Sequence, residues 1–388
     1  MLVDKIVLWL FPLLPITFMY TIGGLPLGYL VYGPLFIAQL LIHKKYVFDH
    51  YLKYLFGAYF CVLVIQAAFS ISDIETVVHI IIGSIFWLLA YICFTNYIRL
   101  EDLLRPYIIL SVIYMLGLFY QVIQLFVWNN QLTGPIVIFP SLLSTQDIVD
   151  FNLLRPMSFF REPAAYALWI CIFTIVMINE KKFILAAVAT FSVLLSTSTE
   201  GLALSALIWG IWLLTGKFNF WLKVLVGFAL FIAVTNVMTS DLFSLTISKA
   251  SETDYSESNR LVDSFRLLQR LDLEGWLIGI GTTNGPIYEA YASSKGVYFE
   301  DLFLSSAAGV FVSYGLFVGI LYWMFILKVI TFKAKSMIAF SVCILVLPFV
   351  QTIFISESFI YVFSIYNLMN THNKKCAISK CLAKETRA

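Results

Sequence analysis

Long apolar runs separated by short polar connections make up most of this chain. A helix needs roughly 17–25 apolar residues to cross a hydrocarbon core, and on that measure the runs predict about twelve transmembrane helices. They fall near 6–22, 24–42, 54–72, 76–97, 107–128, 164–179, 183–198, 201–216, 224–240, 302–330, 336–356 and 358–370. The runs are continuous, not alternating, so they read as helices and not as strands of a membrane barrel. Spans 183–198 and 201–216 are short and joined by the tight segment Thr197-Ser198-Thr199-Glu200-Gly201. The last span is also short. The pattern predicts an all-α polytopic membrane protein, with residues 1–388 forming one integral membrane domain. It carries two long polar loops, loop A at 129–163 and loop B at 241–300, and a tail at 371–388.

Composition narrows the class. The chain is 61% hydrophobic and 12% charged, whereas soluble domains carry about 25% charged residues. That excludes a cytosolic enzyme, a nucleic-acid binder, a disordered tail and a secreted disulfide scaffold. The net charge of +2 says little, but its placement says more. Eighteen of the twenty-five basic residues fall near alternate connections and in the tail, and seventeen of the twenty-three acidic residues fall on the other side. The Lys/Arg bias of short loops makes the first side cytoplasmic, with both termini there and loops A and B outside. The first span reads as retained, not as a cleaved signal. Cys61, Cys93, Cys171 and Cys343 lie in spans, and Cys376 and Cys381 in the tail, so no disulfide is expected. The tail pair with His372 does not match a common zinc spacing, and no metal or other cofactor is expected.

Candidate chemistry lies in the two outer loops. Five of the seven outer basic residues are Arg, against three of eighteen inside. Topology alone does not choose Arg over Lys, whereas bidentate binding of phosphate does. Loop A ends in Arg155-Pro-Met-Ser-Phe-Phe-Arg161-Glu162-Pro163. Pro163 suits the first turn of a helix, so Glu162 and Arg161 sit at a helix N-terminus that favours anions. Two arginines bracketing two phenylalanines fit a phosphate whose lipid tail runs into the bilayer. Glu162 reads equally as a base or as a cap and counter-ion to Arg161. Glu200, in the pinched hairpin, is the second candidate base or else a turn residue in water. It is favoured because Glu162 stands beside Arg161 and a helix N-terminus, which make a carboxylate a poorer base, and the sequence gives Glu200 neither neighbour. In loop B, residues 258–272 predict an amphipathic helix with Leu261, Val262, Phe265 and Leu268 on one side. Arg260 opens this helix, and Arg266 and Arg270 lie within helical reach of Asp263 and Glu274. The run Gly279-Ile-Gly281 reads as a turn and not as a nucleotide loop. His79, within a span, reads as packed or hydrogen-bonded.

Three segments together resemble Wzy-type O-antigen and exopolysaccharide polymerases of the wider polymerase and O-antigen ligase superfamily. They are the Arg155–Pro163 phrase, the Leu195–Gly201 hairpin, and Ser258-Asn259-Arg260 leading to Gly275-Trp-Leu-Ile-Gly279-Ile-Gly281. The resemblance implies a GT-C-like fold and a metal-independent inverting glycosyltransferase in the bacterial cytoplasmic membrane. Its substrates would be undecaprenyl-pyrophosphate-linked glycans, joined into a surface polysaccharide. Arg155, Arg161, Arg260 and Arg266 would hold the pyrophosphate, with Glu200 and Glu162 as catalytic candidates. A flippase and a chain-length regulator are the implied protein partners, alongside the lipid bilayer, and no nucleic acid is implied.

An O-antigen ligase is the near alternative, although that branch carries a histidine in its large outer loop and loop B has none. A lipid-linked-sugar flippase or transporter is the alternative of another class. Transporters place functional charge in mid-span, while here it gathers in the outer loops. The topology predicts that, in a variant lacking native cysteines, single cysteines replacing Asp150 and Tyr255 react with an impermeant thiol reagent in intact spheroplasts. Those replacing Lys45 and Phe220 stay unlabelled, and the opposite pattern would invert the map.

Overall fold

The structure, a computed structural model, describes residues 2–142 (apart from 24, 45, 131 and 133), 155–216, 221, 260–281, 290, 293–294 and 304–385 (apart from 333 and 352–353). The expected span at 224–240 and most of loop B lie outside the described residues. The chain is mostly helical. Its helices are α1 (Leu2–Leu10), α2 (Leu14–Thr17), α3 (Leu27–His43), α4 (His50–Ala68), α5 (Ile74–Tyr97), α6 (Leu100–Phe126) and α7 (Pro163–Asn179). They continue with α8 (Phe183–Leu195), α9 (Thr199–Thr215), α10 (Arg260–Arg270), α11 (Leu273–Ile278), α12 (Ser306–Val329), α13 (Lys335–Val350) and α14 (Glu357–Glu385). Among the described residues α4, α5, α6 and α12 are long and apolar enough to cross a membrane, and five shorter helices are also apolar. This is an all-α membrane protein. The last helix runs on through the expected tail to Glu385.

Two helices form the centre. Thirteen of the seventeen residues of α7 are buried, and every side chain from Phe359 to Tyr366 of α14 is buried. A helix apolar on all faces belongs inside a bundle and not at its surface. Trp169 of α7 stacks on Tyr361 of α14 at 3.4 Å and 8°. The Tyr361 hydroxyl donates to the Trp169 carbonyl at 2.9 Å and also pairs with the Tyr107 hydroxyl. Both helices begin at the same end of the bundle, and each starts at a glutamate.

The expected first span is not one helix. Pro12 and Pro15 stop α1 after Leu10, and a short 3-10 turn, α2 and a two-residue hairpin (Thr21–Ile22 with Leu25–Pro26) follow. Proline removes a donor and leaves carbonyls unpaired, which is costly away from water. Tyr32 donates its hydroxyl to the Leu10 carbonyl at 2.7 Å, and Tyr114 donates to that of Pro12.

The expected span 302–330 is also interrupted. Gly315, inside α12, takes φ 80 and ψ 175. Gly279, just after α11, takes φ 76, and the Ile280 N–H donates to the Val312 carbonyl at 3.0 Å. A Cβ on Gly279 would lie 2.3 Å from the Ser313 oxygen, and one on Gly315 would lie 2.4 Å from the Leu277 oxygen. Gln66 of α4 closes the junction by donating to the Ile278 and Ser313 carbonyls at 2.6 and 2.7 Å. The glycine run of loop B is therefore a packing element where two backbones cross.

Loop B does contain the expected helix, but its buried stripe differs. Asp263, Ser264, Leu267 and Leu271 are buried, while Phe265 is 41% exposed. Ser264 faces inward because its Oγ accepts from the Ser305 N–H at 2.9 Å, at the start of α12. A polar residue thus holds a place on the inner face that hydrophobicity alone assigned elsewhere.

Contacts sort the connections into two ends. At one end Asp4 meets His43 at 2.9 Å, His372 meets Glu101 at 2.8 Å, and Lys328 lies 3.9 Å from Asp49. Lys181, Lys335 and Thr215 line one cavity there. At the other end lie the Gln66 clamp, both described parts of loop A, the α8–α9 hairpin and the start of α14.

The glycine crossing predicts opposite effects of one substitution. Gly279→Ala and Gly315→Ala each destabilise by more than about 1 kcal/mol, because alanine is strained at positive φ and has no room. Gly57→Ala in α4, with nothing within 4 Å of its Cβ, stabilises by about 0.5–1 kcal/mol. Thermal unfolding of the detergent-solubilised protein reads both. Equal melting of Gly315→Ala and wild type would show that the crossing carries no strain.

Candidate functional site

The end of loop A is fixed to α6 before it reaches α7. Gln121 accepts through Oε1 from the N–H groups of Met157 and Ser158 at 2.8 and 2.6 Å, and donates to the Gly134 carbonyl at 2.9 Å. Ser158, fully buried at φ 57, donates its hydroxyl to the Tyr114 carbonyl at 2.6 Å. Its own carbonyl accepts from Ile136 at 2.7 Å. Gly117 makes the approach possible, since a Cβ there would lie 2.7 Å from both Phe159 and Ser158 side-chain atoms. Phe160 is buried edge-on to Tyr114, Tyr166 and near Trp169. The two phenylalanines are thus anchors that hold Arg155 and Arg161 on either side.

The α8–α9 hairpin meets this loop. Ser198 caps α9 by accepting from the Gly201 N–H at 3.2 Å. Gly201 lets the turn press against α7, where a Cβ would lie 2.6 Å from that of Ala167. Between the helices Thr197 is buried at φ 55, a conformation β-branched residues rarely take. That geometry is met by Arg155, whose Nε donates to the Thr197 Oγ1 at 3.0 Å and whose Nη2 donates to its carbonyl. Burial draws the Arg155 pKa below its ordinary value, and the charges of Glu162 and Glu200 oppose that shift. The guanidinium stays charged, since arginine ionises only far above neutral pH.

Three carboxylates surround these cations. Glu162 is the N-cap residue of α7, but its side chain makes no capping hydrogen bond. Glu200 lies in the first turn of α9 and accepts from Gln351 Nε2 at 2.7 Å. Gln351, 8% exposed, ends α13, and its carbonyl accepts from the Ser306 N–H of α12 at 3.1 Å. Glu357 is half-buried at the start of α14, one residue before the expected span. Burial pushes its carboxyl up from the ordinary value, Arg161 pulls it back, and Glu162 adds to the rise.

Four of the six residues singled out from the sequence thus fall together. Arg155, Arg161, Glu162 and Glu200 share one polar cluster. Arg266 is on α10, 3.9 Å from the buried Asp263, an intrahelical pair. Arg260 begins α10, but its side chain lies outside the described residues. One loop carboxylate, Asp263, does pair with Arg266, as helical spacing suggested. His79 lies on an exposed face of α5, 3.9 Å from Glu75.

One premise is corrected. Glu200 does not lack a cation or a helix N-terminus, because Ser198 starts α9 ahead of it and Arg155 acts on the same cluster. The ground for preferring Glu200 to Glu162 as base is therefore gone. Sequence reasoning also missed Glu357, Gln351 and Thr197. Glu357 could have been found by examining every carboxylate at a span junction, since it stands between apolar runs at Ser356-Glu357-Ser358.

No protein-family model matches the chain, and no curated protein matches it.

Glu357 gives a pH test. Its folded pKa is raised, so the folded chain binds that proton more tightly than the unfolded chain, whose carboxyl titrates near 4.5. The associated stability is complete below that value and is lost as the pH rises through the folded pKa. Glu357→Gln should therefore melt above wild type at about pH 8, with the difference shrinking as the pH falls towards 5. A variant that melts lower at high pH would show that the carboxylate is needed there as the counter-ion of Arg161.

Proposed function

We propose that the protein is a polymerase of the Wzy type. It joins undecaprenyl-pyrophosphate-linked oligosaccharide units into a surface polysaccharide at the outer face of the bacterial cytoplasmic membrane. The observation that carries this reading is the meeting of Arg155 and Arg161 with three carboxylates where the two innermost helices begin. A site made of the partly desolvated Arg155, the exposed Arg161 and carboxylates suits displacement of a diphosphate leaving group by a hydroxyl. The fold would be GT-C-like with about twelve spans and both termini in the cytoplasm, following the Lys/Arg bias.

In the reaction, the acceptor hydroxyl oxygen attacks the anomeric carbon of the growing chain from the face opposite the diphosphate. The new C–O bond forms as the old one to the diphosphate breaks, with inversion. The leaving lipid diphosphate takes the bonding electron pair, and its charge is stabilised by Arg155 and Arg161, with Arg260 and Arg266 as further candidates. The hydroxyl proton passes to a carboxylate. Glu357 is the favoured base because burial raises its pKa, which keeps a carboxyl ready to take a proton. Glu162 and Glu200 then hold Arg155 and Arg161 in place.

Deletion of the gene followed by electrophoresis of the surface polysaccharide tests the activity. Single-repeat chains support a polymerase, free lipid-linked polymer would indicate a ligase, and internal accumulation would indicate a flippase. Complementation refines the site. Arg161→Ala and Arg155→Ala should leave single-repeat chains at normal protein levels, with Lys at either position partly active and Arg270→Ala nearly normal. In purified protein Glu357→Gln should lower kcat by about 10²–10⁴-fold, the usual worth of a general base. Normal polymerisation by Glu357→Gln alongside an inactive Glu200→Gln or Glu162→Gln would move the base to that residue.

A further inference from the structure

The end of the bundle opposite the polar cluster holds a cavity of about 270 Å³ between the C-termini of α7 and α9 and the N-terminus of α13. Its walls divide by chemistry. Ile175, Ile178, Phe183 and Trp212 are apolar lining, and Lys181 and Lys335 are its cations. Trp212 packs on Phe183 at 5.4 Å and edge-on to Trp209 at 5.3 Å, so the apolar wall is a fixed surface. Lys181 is placed by the backbone that closes α7. Its N–H donates to the Ile178 carbonyl at 3.1 Å and that of Lys182 to Met177 at 2.8 Å. This closure puts Lys181 at φ 59, a position glycine usually occupies. The neighbouring Glu180 lies 3.9 Å from His372.

We infer that this cavity binds an anionic phospholipid of the adjoining leaflet, with its phosphate on Lys181 and Lys335 and an acyl chain against Ile175, Ile178 and Trp212. Two cations from different elements can both donate to the oxygens of one singly charged phosphate diester, and the apolar lining of the same cavity matches a chain. A basic pocket between transmembrane helices, facing the side richer in Lys, is the arrangement that recognises such headgroups. A tryptophan at the same level suits the headgroup boundary. The lipid would tie α7, a central helix, to α9 and α13, which carry Glu200 and Gln351 at their other ends. The inference stands on the cavity and does not depend on the polymerase reading.

Native mass spectrometry of the full-length protein, released from nanodiscs of mixed phosphatidylglycerol and phosphatidylcholine, tests it. Wild type should retain phosphatidylglycerol in preference to phosphatidylcholine. Lys181→Gln and Lys335→Gln should each reduce that preference by about fivefold, the worth of one basic residue at an anionic surface. Lys44→Gln with Lys53→Gln, two charges removed elsewhere at the same end, should leave it unchanged. No headgroup preference in wild type, full retention in the Lys181→Gln/Lys335→Gln double variant, or equal loss in the Lys44/Lys53 pair would overturn the assignment. Displacement of the lipid by millimolar inorganic phosphate would also overturn it, because the site would then take the free anion.

Discussion

A guanidinium withdrawn from water must be given acceptors, and the site end of this protein is arranged around that need at Arg155. Thr197 supplies two of them, one from its side chain and one from its backbone. To do so, a β-branched residue is held at positive φ in the turn between two short helices, which is costly. The turn persists because its neighbours determine it. Ser198 caps α9, Gly201 admits Ala167, and both short helices pack on the buried α7. Remove any of these and the Arg155 charge loses its support. The same contact brings Glu200 and Glu162 within electrostatic reach of one cation.

The other side of the site depends on interruptions in helices. A continuous α12 would offer no backbone groups to loop B, whereas the break at Gly315 lets the segment after α11 cross it under the Gln66 amide. Irregular backbone at membrane depth is tolerated only where protein satisfies it. Gln66 does this at Gly315, as Tyr32 and Tyr114 do where Pro12 breaks the first span. Through Ser305, Ser306 and Gln351, the top of α12 is linked both to α10 and to Glu200. Loop B and the carboxylates are therefore mechanically joined.

Much of this was legible in the sequence, for identifiable reasons. From α3 to α9 the described helices follow the apolar runs because length and hydropathy decide them, whereas prolines break the first run and a glycine interrupts α12. Arg155, Arg161, Glu162 and Glu200 stood out because charge at the boundary of an apolar run is rare. What failed were properties set by tertiary contact. The inner face of α10 follows Ser264, whose partner at Ser305 is forty-one residues away. Glu200 read as lacking a cation because Arg155 lies forty-five positions earlier in the chain. Glu357 was passed over because it occupies a single-residue gap between two spans, and only the packing of α14 against α7 brings it to Arg161 and Glu162.

The central claim is that Arg155 and Arg161 form a diphosphate site whose geometry, and not only its charge, matters. Isothermal titration of the purified protein with a short-chain polyprenyl diphosphate tests this most directly. Wild type should bind, and Arg155→Lys and Arg161→Lys should each weaken binding by about tenfold or more while melting normally, because lysine keeps the charge and loses the fork. Equal affinity in wild type and both lysine variants would show that the two arginines are structural cations, and the account of the site would fail.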